Sequence, residues 1–166
     1  MRKIIILATT LMLLGACADY QFTVNERVVY TPAPLFADYN IEDRALYDCV
    51  KQTVLDGSIT AATQLTELNC SHAGVRSLLG IEAFGHIERL KLSNNTIADL
   101  APLATMARLQ ALHVDGNQIR SVMPLRGLVD LKYLNLQRNP PLVCAQLNHF
   151  AGIAGMTLDR PEHCSG

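Results

Sequence analysis

The chain has 166 residues, a formal net charge of −1 at pH 7 and 17% charged residues, so its overall charge does not indicate a nucleic acid or an acidic substrate as partner. Tryptophan is absent and aromatic residues make up 5% of the chain, whereas hydrophobic residues make up 49%. This composition predicts a core packed by aliphatic side chains.

The first residues, MRKIIILATTLMLLGAC, have the organisation of a targeting segment. Arg2 and Lys3 form a positive end, and residues 4–14 are apolar apart from two threonines. Eleven helical residues extend about 16 Å, which is about half of the roughly 30 Å that a membrane-spanning helix must cross. The segment therefore favours a cleavable signal peptide over a permanent transmembrane anchor.

The end of this segment, Leu14-Gly15-Ala16-Cys17, resembles the bacterial lipoprotein signal box. The resemblance implies a signal peptide over residues 1–16 and a membrane partner reached through acylated Cys17. Two or three acyl chains are enough for stable anchoring. Ala18 rather than aspartate follows the cysteine, which implies the outer membrane of a Gram-negative envelope, although Asp19 leaves the sorting open. The alternative is an ordinary signal peptide with a chance cysteine.

Residues 17–40 carry weaker signals, and we assign them to a lipidated tether. Two apolar segments, Phe22–Val24 and Val28–Tyr30, predict a small hairpin, although the Asn-Glu turn between them is weak. Pro32 and Pro34 favour an extended stretch after it.

Residues 41–64 contain an amphipathic segment that predicts a helix over residues 42–55. Its apolar face is formed by residues at helical spacing: Leu46, Cys49, Val50, Thr53 and Val54. Gly57 is a suitable C-terminal stop.

Residues 65–152 divide without gaps into four units of 22 residues. They read LTELNCSHAGVRSLLGIEAFGH, IERLKLSNNTIADLAPLATMAR, LQALHVDGNQIRSVMPLRGLVD and LKYLNLQRNPPLVCAQLNHFAG. The fourth residue of every unit is leucine, and positions 14 and 17 are apolar except for Cys144. The ninth residue is Ala73 in the first unit and then Asn95, Asn117 and Asn139.

This pattern, L-x-x-L-x-L-x-x-N-x-I-x-x-L-x-x-L, resembles the leucine-rich repeat in the 22-residue form of internalin-like bacterial proteins. The resemblance implies an α/β solenoid: a right-handed stack of four units with a parallel concave sheet, an N-terminal helical cap over residues 41–64 and a C-terminal cap over residues 153–166. Positions 4 and 6 would point inward. The three asparagines would form a structural ladder that bonds the backbone of neighbouring coils.

Four cysteines remain if Cys17 is acylated, and an even number predicts disulfides in an oxidising compartment. In such a solenoid Cys49, on the apolar face of the cap helix, can meet Cys70 in the unit that this helix covers. Cys144 and Cys164 bracket the tail in a way that is similar to a disulfide-closed C-terminal cap. Pairing between the two ends would span three coils, beyond the usual Cα limit of about 7 Å.

Two alternatives compete with these disulfides. Zinc is one, because two thiolates and two imidazoles are suitable ligands, supplied by Cys144, His149, His163 and Cys164. Their spacing matches no finger or ribbon pattern, and the adjacent His163 and Cys164 would be awkward in a tetrahedral site, so we expect no metal. Free buried thiols at Cys49 and Cys70 are the other alternative.

No catalytic motif is present: the chain has no H-E-x-x-H, G-x-S-x-G, phosphate loop or dinucleotide fingerprint. We therefore expect neither an enzyme nor a cofactor. The residues at positions 3, 5 and 7 of each 22-residue unit, in and just after its strand, would face outward on the concave side. The residues expected to bind there form a mildly basic patch with one aromatic ring: Arg89, Lys91, His113, Asp115, Tyr133 and Asn135.

Arginine and tyrosine are over-represented at binding hot spots, so the sequence favours a monomeric envelope lipoprotein that binds another protein through its concave face. The identity of that protein partner is open. The alternative is a structural or accessory envelope lipoprotein without a dedicated concave-face ligand, in which these side chains are simply solvated.

Overall fold

The computed structural model describes residues 22–24, 27–30 and 33–164. Strands β1 (Phe22–Val24) and β2 (Arg27–Tyr30) pair in an antiparallel hairpin, where the sequence predicted one. The chain divides into two compact units, of which the first ends at Pro34 and the second begins at Leu35. The predicted signal peptide and Cys17 lie outside the described residues.

The second unit is a stack of coils whose strands form one parallel sheet in chain order. Its strands are β3 (Glu67–Asn69), β4 (Arg89–Lys91), β5 (Ala111–His113), β6 (Tyr133–Asn135) and β7 (Thr157–Asp159). Short 3₁₀ helices return the chain on the opposite side, at Ile81–Phe84, Ala101–Thr105, Met123–Gly127 and Cys144–Leu147. This is the α/β leucine-rich-repeat solenoid that the sequence predicted.

The sheet has a fifth strand that the sequence did not predict. Each of the first three steps pairs leucines 22 residues apart, as in Leu68 with Leu90. The last step pairs Leu134 with Leu158, which are 24 residues apart. Because of these two extra residues, a gap-free comparison of 22-residue units does not align β7 with the other strands.

The core is formed by the inward positions of every coil. In the second 22-residue repeat, Leu90 and Leu92 project inward from the strand side. Ile97, Leu100 and Leu103 project inward from the return path, and all five side chains are fully buried. Full burial of such a side chain contributes about 1.5–3 kcal/mol, as an upper estimate. The strand contributes two inward residues and the return path three, so the apolar spacing of one unit matches neither a helix nor a long strand.

Helix α1 (Arg44–Asp56) covers the first coil and buries Leu46, Val50 and Val54. Its start and end follow from local chemistry, because the side chain of Asp43 caps the N-terminus and Gly57 ends the helix. The predicted range was 42–55.

The segment immediately before α1 packs on the N-terminal cap and the first repeat. The amide of Phe36 donates to the carbonyl of Ile59 at 2.8 Å, and the rings of Phe36 and Tyr39 lie 5.7 and 5.2 Å from that of Phe84. The sequence had assigned residues 35–40 to the tether, since prolines and scattered aromatic residues carry no period that would reveal this packing.

We define the C-terminal cap of the structure as residues 144–164, which include the end of the fourth repeat. It contains helix α2 (Asn148–Ala151), strand β7 and a final 3₁₀ turn, Glu162–Cys164. Both predicted disulfides are confirmed, with Cα separations of 5.8 Å for Cys49–Cys70 and 5.2 Å for Cys144–Cys164. The two bridges join residues 21 and 20 positions apart. A bridge that closes a loop of this length contributes about 3 kcal/mol to stability.

Candidate functional site

The turns that follow strands β4, β5 and β6 are held by three buried asparagines, Asn95, Asn117 and Asn139. Asn117 illustrates the pattern: its Oδ1 accepts from the amide of Ile97 at 3.0 Å, and its Nδ2 donates to the carbonyls of Leu92 and Val114 at 2.9 and 3.0 Å. Each amide therefore bonds both its own coil and the preceding one. This ladder fixes the ends of the strands whose other face is exposed.

The first unit has Ala73 in place of the asparagine, and no repeat precedes it. Asp43 joins this unit to the cap instead. Its Oδ1 accepts from the amide of Leu46 in α1, while its Oδ2 accepts from the amides of Arg76 and Ser77 at 2.8 and 3.0 Å. Burial acts to raise the pKa of this carboxyl, but the backbone donors together lower it below its ordinary value.

The concave surface comprises the outward side chains of the sheet together with Asp115. Its members are Glu67, Asn69, Arg89, Lys91, Ala111, His113, Asp115, Tyr133, Asn135, Thr157 and Asp159. The register aligns Lys91, His113 and Asn135 in one column. In the other column of the sheet, Ala111 lies between Arg89 and Tyr133. All six predicted binding residues thus belong to one surface.

Tyr133 lies on β6, the fourth of the five strands of this surface. Its ring lies 4.7 Å from the imidazole of His113, measured between centroids, and its hydroxyl donates to Oδ2 of Asp159 at 2.6 Å. The hydrogen bond to Asp159, together with burial and the negative charge of that carboxylate, raises the pKa of Tyr133 to about 12. The phenol is therefore neutral and fixed in direction at physiological pH.

His113 is half-buried beside groups of both signs. Burial lowers the pKa of its imidazole and Lys91 lowers it further, while Asp115 and Asp159 act in the opposite direction. The net pKa is lowered, so the ring presented next to Tyr133 at neutral pH is the uncharged form.

Asp115 is a buried carboxylate with two charge-stabilising partners. Ser93 Oγ donates to its Oδ1 at 2.5 Å, and Arg138 Nη2 donates to its Oδ2 at 2.6 Å. The same Arg138 nitrogen reaches Oδ1 of Asn94 at 3.1 Å, across the coil that contains Gly116. Arg138 therefore bridges three coils along the rim of the concave surface.

The column that contains Arg138 shares an unusual backbone conformation. The residue at position 8 of each 22-residue unit has a left-handed backbone conformation. The φ angles are 60°, 56°, 66° and 53° at His72, Asn94, Gly116 and Arg138. A Cβ at Gly116 would lie 2.5 Å from Oδ1 of Asn94. The glycine leaves room for the side chain of Asn94, whose Oδ1 accepts from Arg138.

Charges alternate along the stack, whereas the sequence had indicated a mildly basic patch. Glu67 forms an ion pair with Arg89, and the next carboxylate, Asp115, is paired with Arg138. Asp159 and Arg138 were missing from the predicted site. Asp159 comes from β7, which the 22-residue period does not include, and Arg138 lies outside the three residues of its strand.

A shallow hollow of about 290 Å³ opens where α1 meets the first two strands. It is lined by Thr53, Glu67, Leu68, Asn69, Arg89 and Lys91. The hollow extends the concave surface toward the N-terminal cap and has no catalytic constellation among its lining residues.

One group of possible metal ligands occurs in the described part of the chain, formed by Cys144, His163 and Cys164. The two thiols are joined in a disulfide, and His149, the fourth residue of the predicted zinc alternative, does not belong to the group. Within residues 33–164 no helix combines the length and the apolar character needed to cross a membrane.

Solved structures of two internalins have a similar architecture. The internalin inlF from Listeria monocytogenes aligns at 24% identity with a TM-score of 0.63, over 72% of this chain and 36% of that one. Internalin C2 from the same species aligns at 22% identity with a TM-score of 0.60, over 78% of this chain and 62% of that one. This chain therefore corresponds to less than two thirds of either neighbour, and the likeness establishes the internalin-like fold. No protein-family model and no curated protein matches the chain.

Proposed function

We propose that this chain is a cell-envelope lipoprotein whose leucine-rich-repeat domain binds another protein through the concave surface. The observation that carries the proposal is a set of fixed side chains on this surface, where the ring of Tyr133 contacts that of His113 and the Tyr133 hydroxyl is bonded to Asp159. A phenol and an imidazole held in this way lose little conformational freedom when a partner arrives. Tyrosine and arginine are also among the residues enriched at binding hot spots.

The dimensions of the sheet limit the kind of contact. Five strands at about 4.8 Å spacing span about 19 Å along the stack. A standard interface buries about 800 Å² on each partner, so the sheet alone suits one helix or one extended segment of the partner. A partner with charges that alternate in the opposite sense would match the row from Glu67 through Lys91 to Asp115.

The membrane anchor in this proposal is an acylated Cys17, with the outer membrane of a Gram-negative cell as its location. The lipoprotein box of the sequence supports it. The two disulfides of the domain agree with an oxidising compartment such as the periplasm or the cell surface. The domain acts as a monomer at the end of its tether.

The binding proposal is tested by site-specific photo-crosslinking in the native envelope. A photoreactive residue at Lys91, on the concave surface, should give a discrete adduct with a partner, whereas the same residue at Arg126, in the exposed 3₁₀ helix Met123–Gly127, should not. With the photoreactive residue kept at Lys91, the double variant Arg89→Ala with Tyr133→Ala should lower the adduct yield at least about tenfold, because each hot-spot residue contributes more than about 1 kcal/mol to binding.

The matched control is Arg126→Ala with Val129→Ala, two exposed positions on the opposite side. Circular dichroism establishes that both double variants are folded. Equal adduct yields from the two would refute the concave surface as the binding site.

The anchoring proposal is tested separately by Cys17→Ser and cell fractionation. Loss of the acylated thiol should release the domain from the membrane fraction, and a variant that sediments with membranes as wild type does would contradict lipidation. A protein that loses its anchor yet still crosslinks at Lys91 would leave the binding proposal intact.

A structural role without a dedicated ligand is the second candidate. It is favoured by the internal pairing of the concave surface, because Arg89, Arg138 and Tyr133 already have carboxylate partners. On this alternative Lys91 gives no discrete adduct, and only the loss of Cys17 alters the protein's behaviour in the envelope.

A further inference from the structure

The C-terminal cap brings three soft or borderline ligand atoms together outside the concave surface. The Sγ atoms of Cys144 and Cys164 and a ring nitrogen of His163 all lie within 4.8 Å of one another. Cys164 is buried, Cys144 is half-buried and His163 is exposed, so the group is open to solvent on one side. The sequence offered zinc and a disulfide as competing interpretations and counted the adjacent His163 and Cys164 against zinc. In the structure these two neighbours do bring their ligand atoms together, so the disulfide and a metal become alternative states of one site.

The imidazole of His163 is held by a hydrogen bond from one of its two ring nitrogens, which leaves the other as an acceptor. Its Nε2 lies 3.2 Å from the carbonyl oxygen of Leu142. A carbonyl only accepts hydrogen bonds, so Nε2 carries the proton of the neutral ring and Nδ1 carries the lone pair. Metal-binding histidines usually donate their second nitrogen to a carboxylate or a backbone carbonyl in this way.

The backbone on both sides of the group is hydrogen-bonded. Cys144 begins the 3₁₀ helix Cys144–Leu147, and the amide of Cys164 donates to the carbonyl of Pro161 at 2.9 Å. A tetrahedral zinc site places its ligand atoms about 3.5–3.8 Å apart, from Zn–S of about 2.3 Å and Zn–N of about 2.0–2.1 Å. The two sulfurs need only separate after the S–S bond has broken, and the imidazole needs to move by an ångström or so.

We propose that the C-terminal cap, once its disulfide is reduced, binds one thiophilic cation of the Zn²⁺ class through Cys144, Cys164 and His163. A dithiol reductant supplies two electrons and two protons, the Cys144–Cys164 bond breaks to give two thiols, and the reductant becomes a disulfide. Zn²⁺ then binds both sulfurs as thiolates, two protons are released to water, and a water molecule completes the fourth position.

The site closes the same loop that the disulfide closes, so the cap has two alternative fastenings. Three protein ligands leave one coordination position to water, which makes this an exchangeable site rather than a closed four-ligand one. Reduction therefore converts the cap from a metal-independent to a metal-dependent structure.

The test uses the full-length chain with Cys17→Ser, which removes the odd thiol. The protein is reduced with dithiothreitol, desalted without oxygen and titrated with Zn²⁺ against a chromogenic chelator. We expect one Zn²⁺ per reduced chain and none per oxidised chain. His163→Ala should weaken binding at least about tenfold, while His149→Ala, in the same cap but outside the group, should leave it unchanged.

Two paired variants assign the thiols. Cys49→Ser with Cys70→Ser should retain zinc binding by the reduced protein, and Cys144→Ser with Cys164→Ser should abolish it. Zn²⁺ should also raise the Tm of the reduced protein, because binding favours the folded form. The proposal is overturned if the reduced wild type takes up no zinc. Binding that survives loss of Cys144 and Cys164 overturns it as well, as does binding that is insensitive to His163 or does not raise the Tm.

Discussion

The hydroxyl of Tyr133 donates a 2.6 Å hydrogen bond to Oδ2 of Asp159, so a side chain of the repeat array is oriented by the C-terminal cap. The two residues lie on adjacent strands, β6 and β7, and Asp159 pairs in register with Asn135. The cap therefore does more than cover the core, because it also sets the direction of the one tyrosine on the concave surface.

The first prediction is that Asp159→Asn lowers the pKa of Tyr133 from about 12 toward its ordinary value of 10.0. Removal of the carboxylate weakens the hydrogen bond that stabilises the neutral phenol and removes the charge that opposes the phenolate. The pKa is measured from phenolate absorbance, as the difference between each protein and its Tyr133→Phe counterpart. Asp130→Asn, at an exposed position, is the control and should give no change.

This pKa also implies a pH dependence of stability. The folded pKa of Tyr133 lies above its unfolded value, so the neutral form is favoured in the fold. The resulting stabilisation is fully present below pH 10 and declines as the pH rises toward about 12. Wild type should therefore lose stability relative to Tyr133→Phe in that pH window. A difference in the free energy of unfolding between the two proteins that stays constant across the window would contradict the assignment.

The second prediction concerns the junction between α1 and the first coil. Asp43→Ala removes a helix cap and leaves the amides of Arg76 and Ser77 without their acceptor, which should lower the free energy of unfolding by about 2 kcal/mol. Urea unfolding measures the change. Asp48→Ala, in an exposed i,i+4 pair with Arg44, is the matched control and should alter stability by less than about 0.5 kcal/mol.

The lowered pKa of Asp43 predicts the pH window of this effect. A carboxyl whose folded pKa is depressed contributes stability above its unfolded pKa of about 3.9, and this is lost as the pH falls through the folded value. The stability advantage of wild type over Asp43→Asn should accordingly shrink below about pH 4. An advantage that stays constant down to pH 2 would show that the charge of Asp43 has no part in the junction.

The third prediction is that Asn117→Ala destabilises the domain by about 3 kcal/mol, because it leaves the buried amide of Ile97 and the carbonyls of Leu92 and Val114 without their partner. Denaturant unfolding provides the measurement. Asn148→Ala, the same substitution at an exposed position, should change stability by less than about 0.5 kcal/mol. Similar losses for the two variants would mean that the ladder contributes little.

The fourth prediction separates two glycines. Gly116→Ala forces a Cβ into a residue with φ of +66° and to within 2.5 Å of Oδ1 of Asn94, and should cost about 1–2 kcal/mol. Gly127→Ala meets no atom within 4 Å and should be neutral or stabilising by up to about 1 kcal/mol. Thermal unfolding of both variants decides the matter, and an unchanged Tm for Gly116→Ala would argue against the left-handed column as a constraint.

The sequence by itself determined the stack of four repeats, the register of its first four strands and its core. A 22-residue period repeated four times places each equivalent residue in an equivalent environment, so Leu68, Leu90, Leu112 and Leu134 must all be inward if any one of them is. The same equivalence applies to the buried asparagines. The disulfides also followed from it, because a stack brings each end only against its own neighbours.

Tertiary structure alone decided the features that do not repeat. The pairing of Tyr133 with Asp159, of Asp115 with Arg138, and of Phe36 with Phe84 joins residues whose partners have no counterpart in the other units. A period contains no information about such contacts, because each depends on where one coil meets a cap or a non-equivalent residue of another coil. The chemistry of the concave surface resides in these non-repeating contacts, while the repeat supplies the rigid frame that holds them.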